Sequence, residues 1–260
     1  MAQVRVLILR AAGTNCDLET QYAWELAGAV AERVHIRRLI ERPAQLADYQ
    51  ILTIPGGFSY GDDIAAGRIL AAQLERHLLA DILRFVADGK LVLGICNGFQ
   101  VLVRAGLLPW QNGQAGRECT ITYNDPPGFQ DRWVTLRARV AHCAFLEQDR
   151  EYEMPIAHGE GRVLLASPTG LDRVTQQGHL ALTYTPPHTS AGVTPGAPYN
   201  PNGSVADIAG LCDETGRILG LMPHPERFVA PTQHPCWTAR PPRDEGDGLA
   251  LFRRAVAQVR

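Results

Sequence analysis

Lysine is nearly missing from this chain. Lys90 is the only one, and arginine supplies the rest of the 25 basic residues. Against them stand 27 acidic residues, for a formal net charge of −2. No excess of either sign is left to hold DNA, RNA or an anionic membrane. Long apolar runs are missing as well. The best candidate, residues 91–103, contains Asn97 and Gln100 and is shorter than the roughly 20 apolar residues of a membrane helix. The first residues lack the long apolar stretch and small-residue cleavage site of a signal peptide. Six cysteines, at 16, 96, 119, 143, 212 and 236, form no C-x-x-C pair and no metal-ligand spacing. They read as reduced thiols of a cytoplasmic protein, with no metal site. There is no internal repeat and no low-complexity tract.

What is present is ordinary globular material: 260 residues, 45% hydrophobic and 20% charged. Length alone allows one large domain or two small ones, and a chain this long buries enough surface to fold without staples. We read residues 1–260 as a single domain. Residues 4–9 (VRVLIL) form a short buried strand. Residues 13–17 (GTNCD) are turn chemistry, with Asn15 or Asp17 as the helix N-cap. The spacing of Leu18, Tyr22 and Leu26 predicts a helix over 18–29. Strands follow at 34–36, 51–55 and 91–95, with mostly helix over 62–88 and again over 99–105. This alternation predicts an α/β fold, a mostly parallel central sheet with helices on both faces. Ligands bind beyond the carboxyl ends of such strands.

The second half reads as an added antiparallel region, with short strands at 120–123, 133–140 and 181–184. Residues 186–203 hold five prolines and three glycines, a surface excursion. A last core strand at 217–222 runs into Pro223-His224-Pro225-Glu226, and a helix at 248–259 closes the chain.

Three pieces carry chemistry. Gly94-Ile95-Cys96-Asn97-Gly98 has the form of a nucleophile elbow with cysteine as the nucleophile. Strand gives way to helix within one residue, and the flanking glycines sit where a Cβ would clash. The helix N-terminus favours a thiolate at Cys96. His224, with Glu226 two residues on, is the candidate base and its orienting carboxylate, placed on one side of an extended, proline-stiffened segment. Gly56-Gly57, just past a strand, can turn backbone N–H groups into the site. With the N–H of Asn97 they would make an oxyanion hole. The loop is no P-loop, because the lysine and the following Ser/Thr are absent.

These pieces, in this order, resemble the class I (triad) glutamine amidotransferases. GTNCD (13–17), GGFSYGDD (56–63), GICNGFQ (94–100), AGLLP (105–109), PIAHGEG (155–161), NPNGS (200–204) and GLMPHPER (220–227) are similar to its purine-biosynthesis family of glutaminase subunits. The matches span nearly the whole chain. The resemblance implies a flavodoxin-like fold and a Cys96-His224-Glu226 triad that releases ammonia from L-glutamine. It implies Gln100, His158 and Gly159 as substrate contacts. It also implies a synthetase partner that uses ATP and Mg to amidate formylglycinamide ribonucleotide, possibly with a small bridging subunit. No cofactor is implied in this chain itself. Residues 61–70 (GDDIAAGRIL) depart from the family's commonest wording, and 186–203 and 231–245 lengthen the chain beyond its compact bacterial form. Two other readings stay open: a glutaminase or cysteine hydrolase of another pathway, and a non-catalytic regulatory subunit.

Overall fold

Short apolar runs separated by turn residues become strands here because each is covered on both faces. A computed structural model describes residues 3–110, 118–187 and 198–260. In the first half, β1 (Arg5–Arg10), β3 (Ile51–Ile54) and β4 (Leu91–Ile95) are almost entirely buried, as central parallel strands are. β2 (Val30–His35) pairs with β1 along its whole length, Arg5 beside Val30 to Arg10 beside His35. It is longer than the expected 34–36, and Ile36 already starts a helix. The helices are α1 (Asp17–Leu26), α2 (Ile36–Glu41), α3 (Arg68–His77), α4 (Leu79–Ala87) and α5 (Asn97–Arg104). The single helical stretch expected over 62–88 is thus two helices broken at Leu78, preceded by a loop.

The second half supplies β5 (Cys119–Thr122), β6 (Gln130–Ala138), β7 (Glu151–His158), β8 (Arg162–Leu165), β9 (Leu180–Thr185), β10 (Ile208–Cys212) and β11 (Ile218–Leu221). Two further helices are α6 (Pro168–Gln176) and α7 (Asp247–Gln258). The strands β7, β8 and β10 and the helix α6 were not anticipated from sequence. Among the described residues, nine strands make one sheet in the order β2-β1-β3-β4-β11-β10-β9-β6-β7, and β5 pairs with β8. The pairs from β2 to β11 are parallel and the rest antiparallel. The expected architecture of a parallel core with an antiparallel extension is the observed one. Most of the 186–203 segment, residues 188–197, lies outside the described residues. No helix among them is long and apolar enough to cross a membrane.

Two features position the site. β11 lies against β4, which brings the end of the last core strand beside the end of the fourth. β7 is the far edge strand, yet the His224 N–H donates to the Pro155 carbonyl of β7 at 2.9 Å. The antiparallel extension therefore curls back over the carboxyl ends of the parallel strands.

The helix α1 corrects the sequence reading. Leu18, Tyr22 and Leu26 are 63%, 54% and 40% exposed, so the apolar stripe faces outward. The buried side is Thr20, Ala23 and Trp24. Trp24 decides it. Its ring meets Phe252 of α7 edge-on at 4.8 Å, and its indole N–H donates to Thr53 Oγ1 at 3.0 Å. Neither Asn15 nor Asp17 caps this helix; Cys16 occupies the N-cap position. Asp17 is instead buried, paired with Arg10 and Arg33. Trp24→Ala is accordingly expected to cost about 3–5 kcal/mol, and Tyr22→Ala about 0.5 kcal/mol or less. Urea unfolding of the two variants checks this, and equal losses would reverse the assignment of the buried face.

Candidate active site

The elbow forms where β4 ends and α5 begins. Cys96, between them, has φ 51° and ψ −105°, a region that costs a non-glycine residue about 1–3 kcal/mol. The surroundings hold it there. A Cβ on Gly98 would lie 1.8 Å from the Ile54 carbonyl oxygen, and one on Gly94 would lie 2.7 Å from the Gly98 oxygen. Only glycines let α5 approach the sheet this closely. The N–H groups of Phe99 and Gln100 turn back onto the Cys96 carbonyl at 3.0 and 3.1 Å. Among the described residues the Asn97 N–H has no backbone acceptor.

His224 and Glu226 meet at 2.6 Å, Nδ1 to Oε1, with both side chains buried. The geometry differs from the extended segment expected: Pro225–Arg227 is a 3-10 turn, which folds Glu226 back onto the ring. Burial opposes the charged imidazole. The Glu226 carboxylate and the thiols of Cys96 and Cys16 outweigh burial and hold its pKa well above the usual histidine value. Nε2 is buried without a regular hydrogen bond, with the thiols of Cys16 and Cys96 close enough to act on the ring.

The glycine pair completes the constellation. Gly57 has φ +130°, and a Cβ there would meet the Asn15 nitrogen at 2.7 Å. A Cβ on Gly56 would lie 2.8 Å from His224 Cε1, 3.1 Å from Cys16 Sγ and 3.5 Å from Cys96 Cβ. The loop backbone therefore runs beside all three. The side chain of Asn97 ties it to the elbow, accepting from Ser59 Oγ at 2.7 Å and donating to Asp62 Oδ1 at 3.2 Å.

A cavity of about 480 Å³ opens on this centre, lined by Cys96, His224, Gly57, Gln100, His158 and Gly159 among others. Every expected side chain thus borders one space or, like Glu226 and Asn97, supports it. Gln100 also braces the cavity wall. Its Oε1 accepts from Asn97 Nδ2 at 3.0 Å and its Nε2 donates to the Glu160 carbonyl at 2.5 Å, so both polar ends serve the wall.

Two residues at the centre carried no assigned role from sequence, although Cys16 was expected in a loop near the active edge. Cys16 is buried beside His224, donating to Asn15 Oδ1 at 3.3 Å and accepting from Arg227 Nη2 at 3.1 Å. Burial pushes its thiol pKa up, partly offset by His224 and Arg227. Asp62, within the quoted GGFSYGDD run, lines the cavity. Cys16, His224 and Glu226 place ligand atoms within 4.8 Å of one another. The guanidinium on the Cys16 sulfur and the Glu226–His224 pair disfavour a cation there.

Residues 3–259 match the family described as CobB/CobQ-like glutamine amidotransferase domain. The chain is 45% identical over 263 residues to the phosphoribosylformylglycinamidine synthase subunit PurQ of Dehalococcoides mccartyi, covering 100% of this chain and 99% of that one. It is 43% identical over 238 residues to the PurQ subunit of Treponema denticola, covering 86% and 88%. A chain in the PurLQS structure from Thermotoga maritima superposes with a TM-score of 0.71 at 28% identity, covering 98% of both chains.

The charge on His224 is testable. Glu226→Gln removes the strongest influence holding the imidazolium, so His224 should titrate at lower pH in the variant, read from its ring resonances by NMR. A raised folded-state pKa contributes stability below the unfolded histidine value that is lost as pH rises through the folded one. In the variant the contribution should be smaller and its loss complete at lower pH. An unchanged titration would assign the charge to the thiols instead.

Proposed function

The chain belongs to the CobB/CobQ-like glutamine amidotransferase family, and on that footing we propose a Cys-His-Glu glutaminase mechanism for it. It is the glutamine amidotransferase component of a phosphoribosylformylglycinamidine synthase, an enzyme of purine biosynthesis. The geometry supports the following steps. The Cys96 thiolate, bordering the cavity at the elbow, adds to the side-chain carboxamide carbon of L-glutamine. The oxyanion that forms is held by N–H groups of Asn97 and the Gly56-Gly57 loop. His224 Nε2 gives its proton to the departing nitrogen, which leaves as ammonia and a γ-glutamyl thioester at Cys96. His224, now neutral, takes a proton from water, which attacks the thioester and frees glutamate. Glu226 keeps the imidazole oriented and stabilises its charged form through the mechanism's two proton transfers.

The observation that carries this reading is the buried 2.6 Å His224–Glu226 pair, whose unbonded Nε2 lies in the same cavity as the elbow thiol. Ammonia passes to a synthetase subunit, which with ATP and Mg converts formylglycinamide ribonucleotide to formylglycinamidine ribonucleotide. This chain itself needs no cofactor for its half of the reaction. A small bridging subunit joins the proposed assembly, in keeping with the composite name of the T. maritima neighbour.

The test is glutamate release from L-glutamine by the purified chain, with and without synthetase, ATP and formylglycinamide ribonucleotide. Release should rise strongly with the partner present, since closure of a partner commonly gates such sites. Cys96→Ala should abolish it, and Glu226→Gln should slow it about 100-fold or more. Cys96-independent release, or none in the full mixture, would overturn the mechanism.

A further inference from the structure

The glutaminase steps leave one nucleophilic group at the centre without a task. Cys16 is 1% exposed, yet it borders the same cavity as Cys96. Among the described residues the other buried cysteines, Cys119, Cys143 and Cys212, do not. Gly56 marks how close the two thiols lie. The point that a Cβ on Gly56 would occupy is 3.1 Å from Cys16 Sγ and 3.5 Å from Cys96 Cβ. Both cysteines thus border one space, which is open because residue 56 has no side chain. His224 closes a third side, with Cε1 2.8 Å from the same point, and both thiols act on its ring.

The surroundings of Cys16 equip it to react. Arg227 Nη2 donates to Cys16 Sγ at 3.1 Å, and the same guanidinium is anchored through Nε on Glu19 Oε1 at 2.8 Å. A fixed cation on a sulfur stabilises the thiolate. Burial opposes this and holds the Cys16 pKa above its ordinary value, so at rest the group is a thiol. Its S–H donates to Asn15 Oδ1 at 3.3 Å. Deprotonation then needs a base in contact with it, and a neutral His224 would be one. Cys119 shows the contrast. Burial alone governs that thiol and pushes its pKa up to about 12.

We propose that Cys16 is a resolving thiol for Cys96, closing a reversible disulfide with it when a hydroperoxide oxidises the nucleophile. The Cys96 thiolate attacks one peroxide oxygen, and the O–O bond breaks. Cys96 becomes a sulfenic acid, oxidised by two electrons. With hydrogen peroxide the departing hydroxide takes the proton of the His224 imidazolium and leaves as water. His224, now neutral, takes the Cys16 proton. The Cys16 sulfur attacks the Cys96 sulfur, the S–O bond breaks, and the leaving hydroxide collects that proton as a second water. One peroxide is consumed, and one disulfide and two waters are formed. The bridge lies in the space beside Gly56. A thiol reductant reopens it by exchange. While it stands, glutamine cleavage stops and Cys96 is kept from the irreversible sulfinic stage. The loss of activity rests on the glutaminase reading above; the bridge itself does not.

The experiment treats the full chain with hydrogen peroxide, blocks remaining thiols by alkylation and digests it without reduction. Mass spectrometry should find a peptide pair joined through Cys16 and Cys96 and released by dithiothreitol. In the complete complex with synthetase, ATP and formylglycinamide ribonucleotide, glutamate release should fall with peroxide and return with dithiothreitol. Cys16→Ser keeps the size and hydrogen bonds of the side chain but cannot bridge. There Cys96 should be trapped by dimedone as sulfenic acid, and should pass on to sulfinic acid. At a peroxide dose that inactivates both chains, the variant's recovery with dithiothreitol, scaled to its own untreated rate, should be at least about tenfold below that of the native chain. A native chain that yields no Cys16–Cys96 peptide, or a variant that recovers as fully as the native chain, would overturn the proposal and leave the glutaminase reading intact. Absence of Cys96-dependent release by the untreated complex would overturn that reading instead, and the linked peptide would still decide the bridge.

Discussion

One strand pairing holds the site together. β11 lies parallel to β4, with Gly220 beside Gly94 and Leu221 beside Ile95. The next N–H in line, that of Cys96, donates to the Leu221 carbonyl at 2.8 Å. The peptide that begins the elbow is thus fixed by the residue that ends the last core strand, and His224 follows three residues on. The close fit depends on missing side chains. A Cβ on Gly220 would lie 2.1 Å from Phe99 Cδ2, so a side chain there would push α5 off the sheet and take Cys96 with it. Close packing transmits such a shift directly to the site.

Of two buried histidines at one cavity, one holds a second proton and the other does not, and the partner at Nδ1 explains why. His224 bonds a carboxylate, Glu226, and keeps its proton well above the usual range. His158 bonds an amide, Asn124, and loses its second proton down to about 3. Burial penalises the imidazolium in both cases. Only a full negative charge at hydrogen-bond distance outweighs it. One ring is thereby equipped to give and take a proton, and the other to accept a hydrogen bond without reacting.

Backbone strain occurs at the cavity and in the loop beside it, as it does at Asp149, Ala206 and Asp207 elsewhere. Cys96, Tyr60 and Asp62 all have positive φ without being glycine. Each position costs free energy that neighbouring contacts must offset. For Cys96 those contacts are the glycine-to-backbone approaches of the elbow. For Asp62 they are the bonds to Gly67 and Asn97. For Tyr60 they include its hydroxyl on Gln73 at 2.9 Å. The strained residues aim a sulfur and a carboxylate into one space.

Much of this was legible before any coordinates. The elbow, the His-x-Glu run and the glycine pair are steric and conformational signals carried by adjacent residues, and apolar runs with turn residues between them marked the parallel strands. The edge strand β7 escaped notice because Pro155 interrupts an otherwise alternating run, and proline is tolerated on edges. The outward stripe of α1 misled because burial there is decided by Phe252, near the other end of the chain, reaching Trp24. The partners of Cys16 and Asp62 and the proton on His158 were equally out of reach. Sequence by itself determined the fold class and marked the elbow cysteine and the His-x-Glu run as candidates, since short-range backbone geometry favours those residues in that order. Only the tertiary structure decided which faces are buried, which thiol sits beside the histidine and which ring is charged, because desolvation and Coulomb forces depend on neighbours that folding brings from distant parts of the chain.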